Sequence, residues 1–447
     1  MHAYQTQSGV ETRDSQFSSA WLGMIVLLIA AGLVTGQRAL MALAACIAVV
    51  IPTAWLWRTL SLRHVEYERR FDKTRAFPGE VFELTVRVTN RKLLPLSWLE
   101  ISDEIPFALP LVAGELTPTV FPQVGMLDQV FALRWFQRVT RHHVLAATKR
   151  GIYSLGPARM RSGDLFGLFE IREDRLPTHQ LIVYPPIWPL EELGLPAKEP
   201  FGERRAARRL IDDPLRTVGV RDYHPEDDLR HIHWKATAHR NDLQVRVFEP
   251  AATRSLVILL SVNTLVHHWE GSIPELFERT VSVAASLATW AVGQKYTVGL
   301  VANGTRALSD QPVRVLPGRS PNQLAALLEA LAGVTSFATV SVENMLRRES
   351  PRLPWGADLI VVTAIITEEL SVAILELSKA GRRMVLLSLA DEPPPELEGI
   401  TVVHLPATTR AFEREGRGET DPAAALRAAG LTAAVNSGAS GQRAACG

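Results

Sequence analysis

Two uncharged apolar runs near the start of this chain constrain its fold more than any other feature. No charged residue occurs from Ser15 to Gln37, and the stretch WLGMIVLLIAAGLVTG inside it is long enough, as a helix, to cross about 30 Å of hydrocarbon. After Arg38 the run from Ala39 to Trp57 is again uncharged. A cleaved signal peptide would begin with a basic segment and would not be followed at once by a second apolar run, so residues 20–58 read as two transmembrane helices. Residues 1–19 form a polar tail ahead of them. Gly32 and Gly36 have the spacing that lets helices approach closely, and Ala44 and Ala48 repeat it.

Orientation follows from positive charge close to the spans. The turn between them holds only Arg38, whereas Arg58, Arg63, Arg69, Arg70, Lys73 and Arg75 follow the second. The positive-inside rule then predicts a cell-membrane protein with two spans, both termini and the soluble domains cytoplasmic. Trp21, Trp55 and Trp57 lie near span ends, where amphipathic indoles favour the headgroup zone of the lipid bilayer.

A chain of 447 residues is too long for one ordinary core. Its 48 Lys+Arg against 47 Asp+Glu exclude a bulk electrostatic partner such as duplex DNA, so no specific nucleic acid is expected. Cys46 and Cys446 are too few and too far apart for a disulfide framework.

After the turn signal Phe77-Pro78-Gly79-Glu80, residues Phe82, Leu84, Val86 and Val88 alternate with Glu83, Thr85, Arg87 and Thr89, the period of a half-buried strand. Further strands are predicted at 98–101, 130–136, 143–148 and 181–184, with no helical period between, so residues 63–185 read as an all-β, Ig-like sandwich. The stretch RGIYSLGPARMRSGDLFGLFE from Arg150 to Glu170 has neither GxGxxG nor P-loop spacing and reads as tight turns.

Residues 186–250 read as a Pro-rich extended linker, a basic run and a dense polar motif at 221–240. From 251 to 405 apolar strands (255–260, 295–301, 358–363, 383–389, 401–405) alternate with helical periods (275–292, 321–331, 368–380), implying an α/β domain with a mainly parallel sheet. Residues 406–447 form a weakly ordered tail, with one helical period at 422–435.

The motif RDYHPEDDLRHIHWKATAHR holds Arg221, Tyr223, Asp227, Asp228, Arg230, His233, Trp234, Lys235 and Arg240. His231 and His233 beside His224 and two aspartates suggest a metal site, but the spacing fits no strong template, and Arg221, Arg230 and Lys235 oppose a cation. Acid/base chemistry lacks a nucleophile or triad spacing. A structural and interaction network is the stronger reading, with arginine forks on carboxylates and Trp234 in an apolar slot.

The pattern Arg221-x-Tyr223-x-Pro225-x-Asp227-Asp228-x-Arg230-x-Ile232-His233-Trp234-Lys235-Ala236-Thr237-Ala238-x-Arg240 resembles the signature of the bacterial domain-of-unknown-function family fifty-eight. The N-terminal hairpin, RGIYSLGP and DLFGLF resemble it too, and Glu226 departs from it where that family has glycine. The resemblance implies a von Willebrand factor A-like fold for the α/β part and a MoxR-type AAA+ ATPase as partner. Such domains hold a divalent metal on a D-x-S-x-S loop. Here Ser261-Val262-Asn263 stands there, and the later strand ends at Thr363-Ala364, so Ser261, Asn263 and Thr363 mark a degenerate, metal-free site with no cofactor. The expected function is a non-enzymatic adaptor in the maturation of a complex or envelope component. The alternative is a membrane-tethered metal- or His-dependent hydrolase using residues 221–240.

Overall fold

The computed structural model describes residues 18–164, 167–175, 178–196, 212–224, 232–250, 254–266, 271–307, 309–406, 409 and 412. The chain divides into two compact units, with the boundary between Pro186 and Ile187.

The first unit begins with helices α1 (Ser18–Thr35) and α2 (Arg38–Ser61). Among the described residues one helix, α2, is long and apolar enough to cross a membrane. Gly36 takes φ of 66°, the left-handed end of a helix that glycine reaches without a Cβ clash. Gly32 serves packing instead: a Cβ there would come within 2.9 Å of Met41 Cγ. Of the second pair, Ala44 is buried and Ala48 exposed, so the expected double repeat reduces to one close approach near the turn.

Among the described residues three sheets follow. One is antiparallel β1 (Val65–Phe71), β3 (Val81–Asn90) and β7 (Arg138–Ala146). A second runs β10 (Glu170–Arg175), β9 (Ala158–Gly163), β4 (Leu96–Pro106), β6 (Val124–Leu133) and β5 (Thr117–Pro118). The third joins β2 (Arg75–Ala76), β11 (His179–Val183) and β8 (Gly151–Leu155). Alternation decides what they bury: Phe82, Leu84, Val86 and Val88 of β3 meet Leu99 and Ile101 of β4 and Phe131 and Leu133 of β6 in one core. Each such side chain contributes about 1.5–3 kcal/mol when fully buried.

One polar network lies within this core. Arg69 Nη1 donates to Asp103 Oδ1 at 3.1 Å, and the Tyr67 hydroxyl donates to Asp103 Oδ2. Arg69 and Asp103 side chains are 2% and 1% exposed, so the ions must satisfy each other. Burial pushes the Asp103 carboxyl up against the pull of Arg69, and burial together with the Asp103 charge pushes the Tyr67 phenol up.

The second unit opens on Ile187, Trp188, Leu190, Leu193 and Leu195, all buried. Trp188 donates its backbone N–H to Ser286 Oγ at 2.8 Å, on helix α4 (Pro274–Gly293). The expected extended linker is therefore packed structure over its described part. Its prolines were legible, but the apolar residues between them decide its place.

Next come β12 (Asp212–Asp222), α3 (Trp234–Arg240) and β13 (Gln244–Pro250), with β12 and β13 forming an antiparallel ribbon. Among the described residues the main sheet is seven-stranded. Parallel strands β15 (Thr297–Arg306), β14 (Ser255–Leu260), β18 (Asp358–Thr363), β19 (Arg383–Ser388) and β20 (Thr401–His404) lie side by side. Two antiparallel strands on β15 complete it: β16 (Ser309–Gly318) and β17 (Val334–Ala338). The helices are α4, α5 (Gln323–Gly333), α6 (Val342–Glu349) and α7 (Glu368–Lys379). Val257 and Leu259 of β14 and Leu359 and Val361 of β18 pack in one cluster with Met345, Leu346, Leu370 and Ile374 of α6 and α7. Strands buried on both faces explain the unbroken apolar runs.

Candidate functional site

Chain order sets the site. From central β14 the chain goes first to β15 on one side and later to β18 on the other, and ligand crevices of open α/β sheets form outside the carboxyl ends at such a reversal. A crevice of about 320 Å³ lies there, walled by the segments after β14, β17 and β18.

Asn263, Thr339 and Val340 of its lining are bonded to a buried neighbour outside it, Asn303. Asn303, buried near the end of β15, accepts from Val262 N–H at 2.8 Å and donates through Nδ2 to Asn263 Oδ1 at 3.0 Å and to the Val340 carbonyl at 3.1 Å. The Asn303 carbonyl accepts from Thr339 N–H and Oγ1, at 2.8 and 3.0 Å. Thr363 donates its hydroxyl to the Ile365 carbonyl at 2.7 Å. Gly304 admits strand β17: a Cβ would come within 2.7 Å of the Thr335 carbonyl oxygen.

Ser261 and Asn263 line the crevice, whereas Thr363 turns its hydroxyl into its own loop. At Ser261, Asn263 and Thr363 the oxygens are neutral and already accept from the N–H groups of Asn263, Asn303 and Ile365, which does not fit the divalent-cation site that the resemblance implies. Among the described residues no group of three or more His, Cys, Asp or Glu could hold a metal. Glu343 and Glu369 reach the crevice from the first turns of α6 and α7, where helix ends favour negative charge. The described lining has no histidine, cysteine or lysine, and its walls include Leu265, Val266, Val340 and Ile365. This chemistry suits binding of a partly apolar segment.

The described residues of the 221–240 motif, 221–224 and 232–240, bond to one another and to the start of β13. Arg221 pairs with Val245 across β12–β13, and Tyr223 N–H donates to the Leu243 carbonyl at 2.9 Å. His233 caps α3, its Nδ1 accepting from Ala236 N–H at 3.0 Å. Gln244 ties the ends together: its N–H donates to Thr237 Oγ1 at 3.1 Å, its carbonyl accepts from His233 N–H at 2.8 Å, and its Nε2 donates to Asp222 Oδ1 at 2.6 Å. Trp234 is 68% exposed at the first position of α3, which corrects the expectation of an apolar slot. Lys235 and Arg240 are also exposed. Asp227, Asp228 and Arg230, with Glu226 and His231, lie outside the described residues.

Sequence reading missed Asn303 and Gln244. Asn303 carried a signal, an amide at the carboxyl end of the apolar run from Thr297 to Ala302. Gln244 alternates with Leu243 and Val245 in the sequence, the pattern of a strand residue facing outward.

Residues 219–418 match the family model described as "Protein of unknown function DUF58". The "Uncharacterized protein YeaD" of Bacillus subtilis (strain 168) is 25% identical over 348 residues, covering 75% of this chain and 78% of the relative. Among solved structures, the sporulation control protein Spo0M of Bacillus subtilis aligns at 11% identity and a TM-score of 0.18, over 27% of this chain and 50% of that one. The alkylpurine DNA glycosylase AlkC of Pseudomonas fluorescens aligns at 10% identity and a TM-score of 0.19, over 37% of this chain and 43% of that one. Scores this low carry no argument about fold or function.

Proposed function

We propose that this chain is a membrane-anchored interaction and assembly protein, with the crevice of its second unit as the seat for a partner segment. The observation that supports this best is the bonding of Asn303. It commits the neutral polar groups at the strand ends to one another and leaves an apolar-walled slot whose described lining has no histidine, cysteine or lysine. In this reading α1 and α2 form a two-span hairpin, with both termini and both units cytoplasmic, as the arginines after α2 favour. The first unit is an Ig-like sandwich, as its strand alternation suggests; the second is a von Willebrand factor A-like domain and the partner a MoxR-type AAA+ ATPase acting on a complex or envelope component, both by resemblance.

The test is a photo-crosslinking amino acid at Val340 of the full chain in living cells. Capture of an AAA+ ATPase, lost when Val266 is changed to Glu, is the expected result. Repeated capture without such an ATPase overturns the partner. The hydrolase alternative requires substitutions of His231, His233, Asp227 or Asp228 to abolish turnover with the fold intact. His233 caps α3, so its replacement is expected to cost stability instead.

A further inference from the structure

Three loops of the first unit are tied to the carboxyl end of α2, and each exposes an apolar side chain. Lys92, in the loop after β3, donates from Nζ to the carbonyls of Leu60 at 2.8 Å and Arg63 at 2.9 Å, and to that of Ser61. Arg58 Nε donates to the Glu170 carbonyl at 2.9 Å, which holds the residues just before it, 167–169, at the same helix end. The turn after β6 is joined to Lys92 through Phe136 N–H at 3.3 Å. Buried Asn90 staples both of those loops, donating to the carbonyls of Leu94 at 2.9 Å and Arg134 at 3.0 Å.

At these tied positions Leu93 is 76% exposed, Trp135 64%, Phe136 63% and Leu168 44%. Phe136 also holds φ of 51°, a conformation disfavoured for a bulky residue, without burying its ring. A span of about 20 residues counted from Arg38 ends near Trp57. At about 1.5 Å per residue Ser61 lies roughly 6 Å beyond, at headgroup depth. Exposed Arg63 and Arg134 stand beside the apolar residues, a pairing suited to anionic headgroups.

We propose that these three loops form a rim that rests in the headgroup layer of the bilayer holding α2, with Leu93, Trp135, Phe136 and Leu168 inserted. The rim orients the first unit against the membrane, beyond what a flexible tether would do. It rests on the reading of α2 as a membrane span.

The test is spin labelling of the full chain, with Cys46→Ser and Cys446→Ser, in protein-free liposomes containing anionic lipid. Labels are placed singly by Leu93→Cys, Phe136→Cys, Val49→Cys and Val120→Cys. Val120 is 95% exposed just ahead of β6, whose ten residues hold it roughly 30 Å from Trp135. Labels at 93 and 136 are expected to show an oxygen-to-nickel collision ratio several-fold above that at 120 and below that at 49. Ratios at 93 and 136 equal to that at 120, with 49 deep in lipid, overturn the rim alone. A water-exposed label at 49 overturns the anchor, and the rim with it.

Discussion

The guanidinium of Arg69 lies against Gly156: a Cβ on that glycine would stand 2.5 Å from Nη2 and 2.8 Å from Nη1. Gly156 also has φ of 96°. One residue of RGIYSLGP thus makes room for the cation that neutralises Asp103. Gly156→Ala should destabilise the first unit by on the order of 3 kcal/mol, through strain and displacement of a buried ion. A lowered midpoint in thermal unfolding of the full chain checks it, and an unchanged midpoint refutes the close approach.

Asp103→Leu alone strands the Arg69 cation in the core and should cost about 3–5 kcal/mol. The double variant Arg69→Met with Asp103→Leu should recover much of that loss, because two apolar groups need no partner. A double-mutant cycle by denaturant titration decides; additive losses would mean that the ions act independently.

Lys92→Met removes the donor to the last carbonyls of α2, with an expected loss of about 1–3 kcal/mol. The effect should be local, appearing as faster amide hydrogen exchange around 60–64 and 91–95. Exchange unchanged in both segments would show that Lys92 is dispensable for docking the helix end.

His143 and His179 are both held below the ordinary imidazole range, chiefly by burial, with Arg141 and Arg69 respectively adding to it. Between the usual value of 6.5 and the lower folded value the unfolded chain binds more protons. Stability of the first unit should therefore fall as pH drops below about 6.5. His143→Gln with His179→Gln should flatten that slope, as read from unfolding midpoints between neutral and mildly acidic pH.

Asn303→Leu leaves the Val262 N–H and Val340 carbonyl without their partner and should cost about 1–3 kcal/mol for each group stranded away from water. Crosslinks from Val340 should be lost in parallel, because that loop is positioned by Asn303. Full crosslinking in the variant would show that the loop is not positioned by Asn303.

Much of this chain is written in local pattern. The alternation at Phe82–Val88, the apolar runs at Ser255–Leu260 and Asp358–Thr363, and the helical period from Glu275 predict elements that the fold contains. The apolar run that became α2, the multidomain character and the sheet-rich body are equally local properties. Strands β16 and β17 were not predicted, because their stability comes from pairing with β15 rather than from their own composition. The strand expected through Phe136 stops at Leu133, where a turn exposes two aromatic rings.

The two apolar runs, the periods of two and of 3.6, and the signature at 221–240 are determined by sequence alone, because they depend on neighbours a few residues apart. What the tertiary structure decided is where separated polar groups meet. Asn303 reaches Val262 and Val340, Gln244 closes on Asp222, Lys92 caps a helix thirty-one residues away at Ser61, and Arg69 finds both Asp103 and the gap at Gly156. A buried polar atom must find its partner wherever the chain brings one, and that partner has no fixed distance along the sequence.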